Sequence, residues 1–446
     1  MKQNIKTLAF MRPFARFTRI SVRDLVVTVL PVLLLTVLGI GAAYWFMRPA
    51  PPNTLTITTG PDGSTYRINA EKYKKILAKK GIKLNILPSN GSLENLNRLL
   101  DPSFKVDVGF VQGGLATGRQ VDRLFSLGSV FHEPLTLFYS AAKPITLISQ
   151  LAGKRLAIGP EGSGTRAVAL ALLKANGIGP GEATLLDLGG EAATWALVEG
   201  RTDAAFLMGD SATPGDMRSL IWTPGVRLFD FAQAGAYSRR YPYLNQLTIP
   251  MGAFDFGRNV PASDVHLVAP TVELVARDNL HPALSDLLIE AAKEVHDRPT
   301  LMQRAGEFPA PVEHEFRLSD DARRYYTSGK KFLYRNLPFW LATLVDRFLV
   351  VFVPVVVLLI PGLKLVPAVY SWRVRSRIYR WYGILIALER TLLAQHSAEE
   401  RAETLKRLDE IEAEVNMMKM PLSYADQFYV LRDHISFVRQ RYAKST

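Results

Sequence analysis

Gly-Pro-Glu-Gly-Ser-Gly-Thr-Arg-Ala-Val-Ala-Leu-Ala-Leu-Leu-Lys-Ala-Asn-Gly, residues 159–177, follows the short apolar run Lys-Arg-Leu-Ala-Ile at 154–158. The pattern predicts a strand, a glycine-rich turn and an Ala/Leu helix that stops at Gly177. Such a turn leaves backbone N–H groups without intrahelical partners, and the helix dipole adds partial positive charge at the same point. A carboxylate or phosphate fits there. The hydroxyls of Ser163 and Thr165 add donors beside the Gly164 amide. The alternative is an ordinary turn whose glycines only let the chain bend, and the same device recurring twice upstream favours binding.

Residues 55–59 alternate as a strand and run into Gly60-Pro-Asp-Gly-Ser-Thr-Tyr66, which precedes a Lys-rich helix over 67–80. A second strand at 83–87 leads to Pro88-Ser-Asn-Gly-Ser92 and a helix over 93–100. A third, at 106–111, ends at Gln112-Gly-Gly114. Strands alternating with helices predict an α/β domain with a mostly parallel sheet. Ligands of such sheets sit outside the carboxyl ends of the strands, where all of these loops fall.

The order Thr59-Gly60, Gly63 and Tyr66, then Asn-Gly-Ser-x-Glu-Asn-Leu at 90–96, then Asp-Val-Gly-Phe-Val-Gln at 107–112 resembles the TAXI family of TRAP transporter solute-binding proteins. So do Leu-Ala-Gly-Lys-Arg-Leu-Ala-Ile-Gly at 151–159, Gly-Ser-Gly-Thr at 162–165, the run at 196–206, Tyr-Pro-Tyr at 241–243, Ile249-Pro250, Gly252 and Pro270-Thr271. The resemblance implies a two-lobed, periplasmic-binding-protein-like α/β domain (type II-like) with the solute held between the lobes. It also implies small organic acids or acidic amino acids as solutes, handed to a permease driven by an ion gradient. Carried over onto this sequence, the ligand-binding candidates are Gly60, Ser64, Thr65, Tyr66, Asn90, Gly91, Ser92, Gln112, Ser163, Gly164 and Thr165. Arg166 is the nearest fixed cation, able to pair with an acid or to stand solvated in the first helical turn. The chain departs from the family at Pro61-Asp62, at Tyr66-Arg67 and at Gly113-Gly114, and Asp62 would oppose a bound anion unless it points away.

The net charge is +13. Residues 53–338 carry only about +3 of it, 32 basic against 29 acidic side chains, so the surplus flanks the apolar segments and points to a membrane rather than nucleic acid. Lys2, Lys6, Arg12, Arg16, Arg19 and Arg23 precede an uncharged run at 25–47, long enough to cross a bilayer. A cleaved signal peptide ending at Gly41-Ala42-Ala43 is the rival; the length of the run and the aromatic cluster Tyr44-Trp45-Phe46 favour an uncleaved anchor. Pro49-Ala-Pro-Pro52 reads as a stiff spacer. A second span is expected over 345–367, followed by Arg373, Arg375, Arg377 and Arg380. Basic flanks on both runs predict both termini in the cytoplasm of a bacterium and the 53–338 domain in the periplasm, anchored in the inner membrane.

The lobe crossing is expected near 132–138 and the return near 242–250, with the second lobe over about 142–240. Helices over 285–303 and 315–334 should return along the first lobe. Residues 371–446 predict an all-α cytoplasmic hairpin, with a capping box at Ser397-Ala-Glu-Glu400. The chain has no cysteine, its seven histidines are scattered without metal-ligand spacing, and no nucleophile–base pair is specified. The expected partners are therefore a small anionic solute, TRAP-type permease subunits and the membrane, with no cofactor, metal, nucleic acid or enzymatic turnover. The alternative is a transmembrane sensor or scaffold that reports to a cytoplasmic protein through the hairpin.

Overall fold

The computed structural model describes residues 22–46, 50–394, 397–418 and 421–443. The basic flank up to residue 21, the end of the apolar run at 47, and the start of the proline-rich spacer at 49 lie outside them. The chain forms two compact units, residues 49–344 and residues 1–48 together with 345–446.

The second of these contains the apolar helix α1 (Val22–Phe46), described further below. Residues 49–344 build two lobes. The first begins with β1 (Thr54–Thr58), α2 (Thr65–Ala78), β2 (Lys83–Leu87), α3 (Ser92–Leu100), β3 (Val108–Gln112) and β4 (Leu124–His132). The chain crosses at Glu133–Leu135 into the second lobe: β5 (Thr136–Ser140), β6 (Arg155–Ala157), α4 (Gly164–Ala175), β7 (Thr184–Leu186), α5 (Gly190–Val198), β8 (Ala204–Leu207), α6 (Pro214–Ile221), β9 (Val226–Leu228) and α7 (Ala234–Arg240). It returns through β10 (Leu244–Ile249) and β11 (Val265–Arg277), and closes the first lobe with α8 (Pro282–His296), β12 (Arg317–Leu318), α9 (Asp320–Ser328) and α10 (Phe332–Asn336).

The first sheet has the order β12-β4-β11-β3-β1-β2, with β10 paired to β11. β1 runs parallel to β2 and β3, while β11 runs antiparallel to β3 and β4. This sheet is therefore mixed, because the returning strand enters its centre from the other lobe. The second sheet, β7-β6-β8-β5-β9, places β6 parallel to β7 and β8 and is closed by antiparallel β5. β5 joins it six residues ahead of the expected boundary at 142. Each sheet thus has a parallel trio whose first strand in the sequence is central, β2-β1-β3 and β7-β6-β8. That arrangement creates a topological switch point at the carboxyl ends of β1 and β6.

Helical periodicity decides which faces are buried. In α2, Tyr66, Ala70, Tyr73 and Leu77 face the sheet, and Tyr66 and Tyr73 pack on Phe110 with ring centroids 5.3 and 5.7 Å apart. In α4, Thr165, Val168, Ala169, Leu172 and Leu173 form the inner stripe, packed with Leu156, Ile158 and Phe206. The expected helix over 315–334 is instead the short strand β12 and two helices, because Leu318 pairs with Ser126 beside β4.

In the other unit α1 packs on α11 (Phe339–Ala394), a single helix 56 residues long that contains Pro354, Pro361 and Pro367. A β-carbon on Gly39 would lie 2.5 Å from Leu358, and one on Gly362 would lie 2.7 Å from Val32, so small residues set how closely the two helices approach. Within α11, residues 339–391 are long and apolar enough to cross a membrane, whereas the apolar core of α1 covers Thr28–Ala42. The sequence places a boundary near 371, but α11 runs through it. Two further helices, α12 (Ala398–Met417) and α13 (Ala425–Ala443), pack on its far end. Ser397 caps α12 by accepting from the Glu400 amide at 3.2 Å. Ile378, Leu385, Leu408, Ile411, Val415, Leu431, Ile435 and Val438 form the core the three helices share.

β11 carries an unusual group. Glu273 is fully buried, and among the described residues no hydrogen bond of normal geometry reaches either of its carboxylate oxygens. Burial pushes its carboxyl up to about 8, against a smaller opposing effect of the Ser126 hydroxyl. The folded protein therefore holds a proton that the unfolded chain releases above about pH 4.5, so stability falls as pH rises from there through about 8. Glu273→Gln should flatten that part of the profile and be more stable than the parent at pH 8, measured by chemical denaturation of the intact chain in detergent between pH 5 and 9.

Candidate functional site

The two switch points face each other across the lobes, and the loops that follow β1, β2, β6 and β8 meet there. Ser64 caps α2 by accepting from the Arg67 amide at 3.2 Å, and Ser163 caps α4 by accepting from the Arg166 amide at 3.1 Å. The amides nearest the starts of α2, α3 and α4 consequently remain free to bond across the cleft.

They bond to the chain itself. The Thr65 amide donates to the Gly209 carbonyl at 2.8 Å, and the Glu94 amide donates to the Gly162 carbonyl at 2.8 Å. The Asp210 carboxylate, on the residue after Gly209, is fully buried. Its Oδ2 accepts from the Ser92 amide at 3.2 Å, at the start of α3, and from the Gly164 amide at 2.5 Å, at the start of α4. Its Oδ1 accepts from the Thr165 hydroxyl at 2.6 Å. Ser211 completes the chain of hydroxyls, 2.8 Å from Thr165. One carboxylate thus joins a helix start of each lobe through neutral donors.

The backbone is shaped around this group. Gly91 has φ +132°, and a β-carbon there would collide with Asp210 Oδ2. A β-carbon on Gly60 would collide with the Asp210 carbonyl oxygen. Gln112 is fully buried beside it; its amide donates to the Ser92 hydroxyl at 2.7 Å, its Nε2 donates to the Gly164 carbonyl at 3.1 Å, and its Oε1 is left unpaired.

Tyr66 points into the first lobe, where its hydroxyl donates to Glu133 at 2.8 Å. Burial raises Glu133 well above the usual carboxylate range, and repulsion from Asp210 adds to this; the Tyr66 hydroxyl and the Asp210 amide act the other way. Burial also raises Asp210, with Thr165, Gly164 and Ser92 opposing the rise.

The structure therefore brings Gly60, Ser64, Thr65, Gly91, Ser92, Gln112, Ser163, Gly164 and Thr165 together. Tyr66 touches the cluster through its bond to Glu133 and through the neighbouring Ser92 side chain. Asn90 is exposed, with its amide donating to Glu94 at 2.7 Å. The Arg166 guanidinium pairs with Asp187 rather than with any group of the cluster. Asp62 is exposed and lies 3.7 Å from Arg67, so it does not enter the site.

The sequence profile of the NMT1-like family matches residues 57–307, more than half of the chain. The chain belongs to the NMT1-like family. The matched region is the two-lobed domain, and this NMT1-like domain has an α/β, periplasmic-binding-protein-like fold. Among solved structures it is similar to a protein of Bordetella bronchiseptica RB50, with 14% identity and a TM-score of 0.38 over 56% of this chain and 77% of that one. It is also similar to the periplasmic aliphatic sulphonate binding protein SsuA from Escherichia coli, with 16% identity and a TM-score of 0.34 over 54% and 73% of the two chains. An ancestral arginine-binding protein bound to arginine matches with 16% identity and a TM-score of 0.36 over 56% and 95%.

Asp210 and Glu133 were not among the residues expected at the site of this NMT1-like chain, nor was Asn95. Asn95 is fully buried, accepts from Thr58 and Ser89 at 2.6 and 2.8 Å, and donates to the Thr59 and Phe110 carbonyls at 2.5 and 3.0 Å. It locks the loop that presents Ser92. Asp210 had one available signal, its place three residues beyond the carboxyl end of the apolar strand 204–207. Thr165→Val removes the hydroxyl from a buried carboxylate and should cost about 1.5–3 kcal/mol. Thr165→Ser should recover most of the loss, measured by denaturation of the intact chain.

Proposed function

We propose that the chain is a membrane-tethered solute receptor that closes its two lobes on a small organic anion and presents it to a TRAP-type, ion-gradient-driven permease. The observation that carries this reading is the meeting of the α3 and α4 starts, one from each lobe, on a single carboxylate. A carboxylate held by amides and a hydroxyl draws the lobes together by the same bonds that recognise it. The donors are neutral, so selectivity rests on hydrogen-bond geometry rather than on a fixed cation. In this reading α1 and α11 cross the inner membrane, the two-lobed domain lies in the periplasm and the helical hairpin lies in the cytoplasm.

A second reading, a transmembrane sensor, draws on the continuity of α11, which passes from its apolar stretch straight into the core it shares with α12 and α13. A cytoplasmic partner captured only when solute is present would favour it over uptake.

Thermal unfolding of the intact chain in detergent, titrated with carboxylates, acidic amino acids and sulfonates up to tens of millimolar, tests the receptor reading. A saturable rise is expected with one class of carboxylate. A ligand at about a hundred times its dissociation constant stabilises by about 2.7 kcal/mol. A panel without effect would remove the receptor reading.

A further inference from the structure

We propose that Asp210 is the receptor's own intramolecular ligand: its carboxylate fills the anion site between the lobes, and a carboxylate from solution binds there only by exchange with it. The inference rests on the receptor reading for the identity of the site, and it adds what competes for that site.

Three features make Asp210 an occupant rather than part of the wall. First, its oxygens take the donors that an incoming carboxylate would need: the Ser92 amide at 3.2 Å, the Gly164 amide at 2.5 Å and the Thr165 hydroxyl at 2.6 Å. These donors come from both lobes, so whichever carboxylate holds them also holds the cleft closed. Second, the surroundings are moulded to a carboxylate at that point, since a β-carbon at Gly91 would collide with Oδ2. Third, the buried Gln112 Oε1 has no hydrogen-bond partner among the described residues and crowds the Gly164 α-carbon, where it leaves no room for a β-carbon. An acceptor left unpaired beside a filled site is what remains when the occupant is shorter than a ligand able to donate a hydrogen bond of its own.

Asp210 stands on the loop after β8, tethered three residues from the strand end, so its effective concentration at the site is high. A protein whose binding-competent state is only a small fraction of the population binds its ligand more weakly by that fraction. The cleft is therefore closed without solute, and the apparent affinity for solute is set by how often Asp210 leaves.

Formate is the probe of the exchange, because it is the carboxyl group that Asp210→Ala removes. The intact chain, Asp210→Ala and the near-isosteric Asp210→Asn would be melted in detergent across a formate titration. Asp210→Ala is expected to melt below the parent and to recover saturably with formate, at an apparent dissociation constant at least about tenfold below that of the parent. Asp210→Asn should melt low and not recover, since its amide still fills the space. Adding Thr165→Val to Asp210→Ala should weaken the recovery. Equal formate responses in the parent and Asp210→Ala, or no recovery of Asp210→Ala, would overturn the assignment. A response confined to Asp210→Ala, with the parent unmoved by every anion, would uphold it while removing the receptor reading of the parent chain. If Asp210→Ala does not stay folded on purification, the yield of folded protein on refolding in formate reads the same site, and a yield independent of formate would overturn it.

Discussion

The bonds to Asp210 tie the two lobes into one body. Taking a carboxylate out of water costs several kcal/mol unless hydrogen bonds replace its hydration. Here two backbone amides and a hydroxyl do so, and each amide lies at a helix start where the dipole favours negative charge. The demand propagates outward. Gly91 must lack a side chain, Ser92 must be placed by Asn95, and Thr165 must turn inward so that its hydroxyl is shared with Ser211. Burial, and after it repulsion from Asp210, raises the Glu133 carboxyl that the Tyr66 hydroxyl bonds to.

Much of this was legible in the sequence because it follows from local rules. The turn at 159–165 and the stripe from Thr165 to Leu173 fix a strand, a capped helix and its buried face without reference to the rest of the chain. The loops at 60–66, 90–92 and 112 share a sheet edge for the same reason. Asp210 was not legible because its loop, Met-Gly-Asp-Ser at 208–211, carries no anion-binding signature; it supplies the anion. A search for donors passes over the acceptor that satisfies them. Arg166 shows the converse limit. Its position in the first turn of α4 is correct for an anion partner, yet the side chain leaves the helix on the side of Asp187, which only the fold could reveal.

Glu273 is buried for a reason that lies in the strand order. β11 is central: Val272 and Leu274 face the core built with α2 and α8, while Val275 packs with Leu96, Leu99 and Phe316 on the opposite side. A residue in the middle of a sheet covered on both faces has no solvated side, and the strand order that puts β11 there is set by the return from the second lobe.

The unit that holds α1 and α11 shows how a hydropathy boundary can differ from a structural one. Hydropathy changes where solvent changes, but a helix ends only where its hydrogen-bond ladder is interrupted. At about 1.5 Å per residue, the 56 residues of α11 extend about 84 Å, far beyond the roughly 30 Å of a bilayer core. The surplus is structural. Ile378 and Leu385, two turns apart on one face of α11, are buried against Leu408, Ile411, Leu431 and Ile435. A hairpin made of α12 and α13 alone would leave that apolar stripe uncovered, so the helix that carries the apolar span also supplies the third wall of the helical core.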